Sequence, residues 1–327
     1  MPTFTRRWQF PNLIIEGRGT GAALGARWAA TFASRPAAAG APDLRVTLDL
    51  VDSVPPAPPA EPHFRQGDLL AYYLDGADNV VAHFPRYGQV RLNLSAGSSE
   101  GELTEAALAA HGVFEDLLAI SLSPHLRRRG LFLLHAFAAC PPEGGGAALI
   151  VGDIGAGKTT TGLALLHAGW KLLSNDSPML AEAAGDINVL AYPGLLSAYP
   201  DTLARFPELS PIKSAPSVRE KVLFAAEAVY PNVWAEAAPA GGILFPQIEP
   251  RPEHALEPLP PAEALRLILP HAIEQWDRAL IPAHLALLNR LVQAAPAYRL
   301  RLAADTSRLP GVIAAGLHHN GHAPREA

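Results

Sequence analysis

The sequence predicts an α/β chain built around a phosphate-binding loop, with an α+β module ahead of it. Three observations predict this. Residues 152–159 read GDIGAGKT, which fits the pattern G-x-x-x-x-G-K-[ST]. Residues 147–151 (AALIV) are a short apolar run with the length and composition of a buried strand. Residues 160–168 (TTGLALLHA) read as a short helix, and Gly169 stands where a glycine ends one.

The other elements follow in chain order. Residues 43–51 (DLRVTLDLV) alternate as a strand does. A proline-rich linker covers 54–62. Residues 69–73 and 79–83 flank Asp75-Gly76-Ala77-Asp78 and predict a hairpin, and 89–94 add a further strand. Residues 104–120 predict an amphipathic helix weakened at Gly112. Together these form an N-terminal accessory module, 1–128, with no chemical motif of its own.

A second module is expected over 129–315. It opens with a strand at 131–139 that carries His135, and 141–146 turn into the loop strand. After the loop helix, 170–174 predict a strand ending in Asn175 and Asp176. Residues 192–194 and 206–217 are loop-like, and 241–246 predict a short strand stopped by Pro246. Helices are expected over 263–269 and 283–294, and a strand over 298–303. Residues 316–327 read as a flexible tail. Its His318, His319 and His322 lack an acidic or cysteine partner, so no native metal site is expected there.

Composition narrows the function. With 327 residues, 49% of them hydrophobic and 17% charged, the chain can bury a sizeable core. A net charge of −5 lacks the basic field of a dedicated nucleic-acid binder, so no nucleic-acid partner is expected. The single cysteine, Cys140, excludes an intrachain disulfide and fits a reducing compartment. The opening MPTFTRRWQFPN has no apolar core of signal-peptide type, and no run approaches 18 apolar residues. A cytoplasmic location and no membrane partner are therefore the expectation. Four of the 26 basic residues are lysines (158, 171, 213, 221), all within 158–221. Lysine is a compact point charge that a crowded phosphate site cannot freely exchange for arginine. Lys213 and Lys221 are thus weak candidates for phosphate or substrate contact, against the plainer role of surface lysines.

The loop residues carry the chemistry. Glycines let backbone N–H groups turn inward around a polyphosphate, and the following helix points its positive end at the same anion. Lys158 adds a cation and Thr159 a hydroxyl for Mg²⁺. Asp176 falls at the carboxyl end of a strand, where open α/β sheets place ligands, and can hold the same ion. Its plainer role is an Asx-type turn before Ser177-Pro178. For His135 the plainer role is a hydrogen-bonded core histidine.

His135, then GDIGAGKTT, then a short helix, then GWKLLSND resembles the catalytic core of HPr kinase/phosphorylase, and especially related proteins that keep only that core. The core is shared more distantly with ATP-dependent phosphoenolpyruvate carboxykinase. The resemblance covers about 130–180 well, 220–246 faintly, and nothing in 1–125. It implies a P-loop kinase core of the HPr kinase/PEP carboxykinase type, with ATP and Mg²⁺ as cofactors and a serine of a small protein or peptide as acceptor; the alternatives are a small-metabolite kinase on the same scaffold and a nucleotide-binding regulator with little turnover. It also implies self-association. Gly152, Asp153, Ile154, Gly155, Ala156, Gly157, Lys158, Thr159 and Thr160 would bind the nucleotide. Thr159 and Asp176 would hold the metal, and His135 would lie near the transferred phosphate. Where the family has a basic aspartate this chain has Asn175, which cannot accept a proton. Three outcomes stay open: Asp176 serves both metal and proton, His135 is the base, or the protein binds ATP and transfers poorly. The stretch after Asp176 lacks the family's phosphorolysis signature, so phosphorylase activity is not expected.

Overall fold

The computed structural model describes residues 2–183, 185–212 and 220–318. The chain divides into two compact units, 1–130 with 274–281, and 131–273 with 282–327.

The first unit is an eight-stranded sheet with helices. Its elements are β1 (Thr3–Phe10), β2 (Leu13–Thr20), α1 (Ala22–Thr31), β3 (Leu44–Leu50), β4 (Phe64–Gln66), β5 (Leu70–Asp75), β6 (Asn79–Phe84), β7 (Gly88–Asn93), β8 (Ser98–Leu103), α2 (Glu105–Ala109) and α3 (Val113–Arg127). The strand order is β1-β2-β3-β8-β7-β6-β5-β4. Two strands and a helix form over residues 2–31, where no local pattern predicts an element. The helix buries Trp28 against Trp8, with ring centroids 5.9 Å apart, and against Phe32 and Phe114. The single helix expected over 104–120 is two helices. Gly112 between them has φ 75°, a left-handed value at which no helix continues, and α3 then runs on to Arg127. Residues 274–281 belong with this unit. Trp276 stacks on Tyr72, and Asp277 pairs with Arg127 and Arg128.

The second unit comprises β9 (Phe132–Leu133), β10 (Ala136–Cys140), β11 (Ala147–Val151), α4 (Lys158–His167), β12 (Lys171–Ser174), β13 (Met179–Ala183), β14 (Asp186–Leu190), β15 (Leu196–Ala198), α5 (Pro200–Leu203), β16 (Val222–Phe224), β17 (Ala237–Ile248), β18 (Ala255–Leu259), α6 (Pro261–Ile268), α7 (Ile281–Ala294), β19 (Ala297–Leu302) and α8 (Leu309–His318). The main sheet runs β12-β10-β11-β17-β14-β13-β9, with β19 against β17 and β18 against β19. β15 and β16 form a separate ribbon.

Alternation along the strands shows that both sheet faces are covered. In β10, Phe137 and Ala139 join the core with α4 and α8, while Ala136, Ala138 and Cys140 join the core with α6 and α7. β11 divides in the same way, with Ala148 and Ile150 on one side and Ala147, Leu149 and Val151 on the other. A strand buried on both faces reads as a continuous apolar run, which is why AALIV is legible. α4 lies close on β10 because residue 162 is glycine; a Cβ there would sit 2.4 Å from the Phe137 ring.

Two strands differ from the sequence expectation. The strand expected over 131–139 is two short strands. β9 pairs with β13 and β10 with β11 and β12, so His135 stands at the break between them rather than on a strand. The strand expected to stop at Pro246 continues to Ile248. Pairing with β11 ends at Leu244, so the missing N–H of Pro246 costs no bond on that side, and the ladder with β19 carries on to Leu302. Lys213, His319 and His322 lie outside the described residues, and helix α8 extends to His318.

Candidate functional site

The sheet register gathers the candidate residues at one edge. β10 is antiparallel to both β11 and β12, with Ala136 opposite Val151 and Ala138 opposite Ser174. The start of β10 and the ends of β11 and β12 therefore share an edge. His135 precedes β10, Gly152 follows β11, and Asn175 and Asp176 follow β12. β17 and β19 run parallel to β11, so Ile248 and Leu302 reach the same edge.

The glycine loop takes its shape from two left-handed residues, Gly155 at φ 86° and Gly157 at φ 103°. The Ala156 amide donates to the Asp153 carbonyl at 3.2 Å, and the Thr161 amide closes the first helical turn on Gly157 at 2.9 Å. The amides of Lys158, Thr159 and Thr160 open α4 and have no intrahelical acceptor. Lys158 folds over its own loop, donating to the Gly152 carbonyl and, at 3.2 Å, to that of Asp153. Burial pushes its pKa below the ordinary lysine value; Asp176 and Asp153 oppose that, and Lys221 adds to it.

Asp176 is fixed by a local turn. Ser174 Oγ accepts from the amides of Asp176 (3.3 Å) and Ser177 (3.0 Å). Backbone bonds from Leu134 to Pro178 (3.1 Å) and from Ala136 to Asp176 (2.9 Å) bracket His135. As a result His135 Nδ1 lies 3.2 Å from Asp176 Oδ1. Burial acts to raise the Asp176 pKa. The His135 imidazole and the Lys158 charge outweigh it and hold the carboxyl below its usual range. The carboxylate is still half exposed.

Asn175 does structural work here. Its Nδ2 donates to the Leu195 carbonyl at 2.9 Å, which ties the acid-bearing turn to the start of β15. A residue missed in the sequence, His271, completes the surround. Its carbonyl accepts from the His135 amide at 2.8 Å, its ring stacks on His135 with centroids 6.1 Å apart, and its Nε2 is 3.9 Å from Asp153 Oδ1. Burial lowers its pKa; Asp153 opposes that, while His135 and Lys158 reinforce it. No local pattern marks His271, because it reaches the site from the turn after α6, about 100 residues beyond the loop.

A cavity of about 410 Å³ opens beside these groups, with His271 behind its lining rather than in it. His135, Asp153, Lys158, Thr159, Thr160, Asn175 and Asp176 all line it, as do Ile154, Gly155 and Gly157. Gly152 and Ala156 belong to the loop but not to the lining. One wall, beside Gly157, is largely apolar and includes Ile248, Leu302 and Leu309. The opposite character belongs to the ribbon side, with Tyr199, Arg205 and Lys221.

The donor set fits a polyphosphate and a hard divalent cation. The amides at the start of α4 are unpaired within the helix. A Cβ at Gly155 would meet nothing within 4 Å, so the backbone there is open to an approaching anion. Thr159 and Asp176 offer oxygen donors to the same cavity, the type Mg²⁺ prefers.

No protein-family model matches the chain, and no curated protein matches it. Among solved structures it is similar to the Hpr(Ser) kinase/phosphatase from Coxiella burnetii, at 11% identity and a TM-score of 0.30. The match covers 57% of this chain and 94% of that one. A likeness at that level decides nothing about the chemistry, which rests on the geometry above. Among the described residues no helix is long and apolar enough to cross a membrane, and no group of three or more His, Cys, Asp or Glu is placed to hold a metal.

Proposed function

We propose that the chain is a Mg-ATP-dependent phosphotransferase acting on a hydroxyl, such as a serine of a small protein or peptide. The observation that carries this reading is the His135–Asp176 pair facing the same cavity as the glycine loop and Lys158. Bound there, ATP would supply the phosphoryl group and Mg²⁺ would neutralise its charge. The loop amides and Lys158 would hold the phosphates, and Thr159 and Asp176 the ion.

The proton of the accepting hydroxyl needs a base, and Asn175 cannot be one. A carboxylate held below its usual range is a good cation ligand and a poor base. Asp176 instead keeps the proton of His135 on Nδ1, which leaves Nε2 as the acceptor. Asp176 thus orients the imidazole and His135 takes the proton.

The test is transfer of labelled phosphate from ATP to serine-containing acceptors. Lys158→Ala should lower transfer by about 10²-fold or more. Equal labelling by wild type and variant would defeat the proposal. A second reading, a nucleotide-binding regulator with little turnover, is favoured by Asn175 and its tie to Leu195. Bound ATP that stays intact through long incubation would decide for it.

A further inference from the structure

Apart from the bond from Asn175 to Leu195, the ribbon wall of the cavity makes no contact described above with the loop or the acid, yet it carries two cations. β15 and β16 pair with Ala198 opposite Val222, which sets Tyr199 and Lys221 side by side just past the paired ends. Lys221 Nζ lies over the Tyr199 ring, 5.3 Å from its centroid. Arg205 follows α5 on the same wall and is exposed. Neither cation is paired with a carboxylate among the described residues. Asp201 also lines this wall and bonds to neither, so the wall keeps a positive excess. Lys221 is near enough to Lys158 to lower that lysine's pKa, which places a second ammonium close to the loop.

Two ammonium groups and a guanidinium facing one cavity repel each other, and an anion between them would relieve that repulsion. The loop amides and Lys158 already offer donors for the nucleotide's own phosphates. The ribbon is tied instead to the acid side, through the bond from Asn175 to Leu195. Its first strand therefore starts beside the acid-bearing turn, whereas the apolar wall of Ile248 and Leu302 stands beside Gly157.

We propose that Lys221 and Arg205 form a seat for a negatively charged group carried by the acceptor next to its reacting hydroxyl, a carboxylate or a phosphate. This deepens the kinase reading and rests on it. The substrate class is then an anionic alcohol, either a serine flanked by acidic side chains or a small hydroxy compound with its own phosphate.

The experiment uses the full chain loaded with Mg²⁺ and a non-hydrolysable ATP analogue, so that the loop is filled. Binding of two probes is measured by titration calorimetry: inorganic phosphate, and a short peptide with serine between aspartates, with an alanine-flanked peptide as control. At least one anionic probe should bind, and Lys221→Gln or Arg205→Gln should weaken it at least tenfold while analogue affinity changes less than twofold. Peptide binding alone assigns an acidic segment, and phosphate binding alone a phosphorylated small molecule. Equal binding of the alanine-flanked peptide overturns the proposal, as does probe binding unaffected by both variants. An equal loss of analogue affinity also overturns it, because the cations would then belong to the nucleotide. A parallel titration of Lys158→Ala without nucleotide separates the two readings. If the analogue fails to bind wild type but this variant still takes phosphate through Lys221, the kinase reading fails and the anion seat stands.

Discussion

At the residue scale, the proposed function gives His135 the part of the base, and the bond to Leu195 gives Asn175 a structural one. His135 is held by backbone bonds on three sides, so its replacement should leave the loop in place. His135→Ala should lower phosphoryl transfer by about 10²–10⁴-fold, the range of a positioned general base, with nucleotide affinity retained. Parallel loss of nucleotide binding would show a structural part instead. Asn175 makes the opposite prediction. Asn175→Asp exchanges the donor facing the Leu195 carbonyl for an acceptor. Stability should fall by about 1–3 kcal/mol, read from urea unfolding. The sequence made Asn175 visible only as a missing base. Its bond to residue 195 could not be read there, because the partner is a backbone carbonyl with no side-chain signature.

At the scale of elements, the loop, its strand and its helix were legible because each is local. The apolar run, the glycines and the helix pattern lie within about 25 residues. What the sequence concealed are pairings that cross the chain: the break at His135, the extension of β17 past Pro246, and the arrival of His271. Each depends on which strand lies alongside. Helix α3 supplies a prediction of its own. His125 is fully buried, with Nε2 2.9 Å from Ser99 Oγ, and burial pushes its pKa down to about 4, with nearby arginines adding to the effect. The unfolded chain takes up this proton near pH 6.5 and the folded chain only near 4. Stability should therefore be intact above about pH 6.5 and fall as pH drops toward 4, by about 3 kcal/mol at this site. His125→Gln should flatten that part of the unfolding midpoint against pH. An unchanged slope would remove His125 as its source.

At the scale of the whole molecule, the segment 274–281 matters most. Asp277 is almost fully buried with Arg127, and Arg128 adds a second guanidinium. Asp277→Ala would leave buried Arg127 with only the partly exposed Glu274, 3.5 Å away, as its carboxylate, at a cost below the roughly 3–5 kcal/mol of a buried charge with no partner. A thermal melt should show the loss, and an unchanged melt would mean that water reaches Arg127. Composition gave no hint of this return, since residues 272–280 (AIEQWDRAL) read as an ordinary connector between helices.

The return has a consequence for synthesis. Arg127 and Asp277 are 150 positions apart. At roughly 5–20 residues per second, a ribosome needs about 8–30 s to make that span. Through that interval the first half of the newborn polypeptide waits with a lone arginine inside it, and the last piece of its own packing emerges only after most of its neighbour has been made.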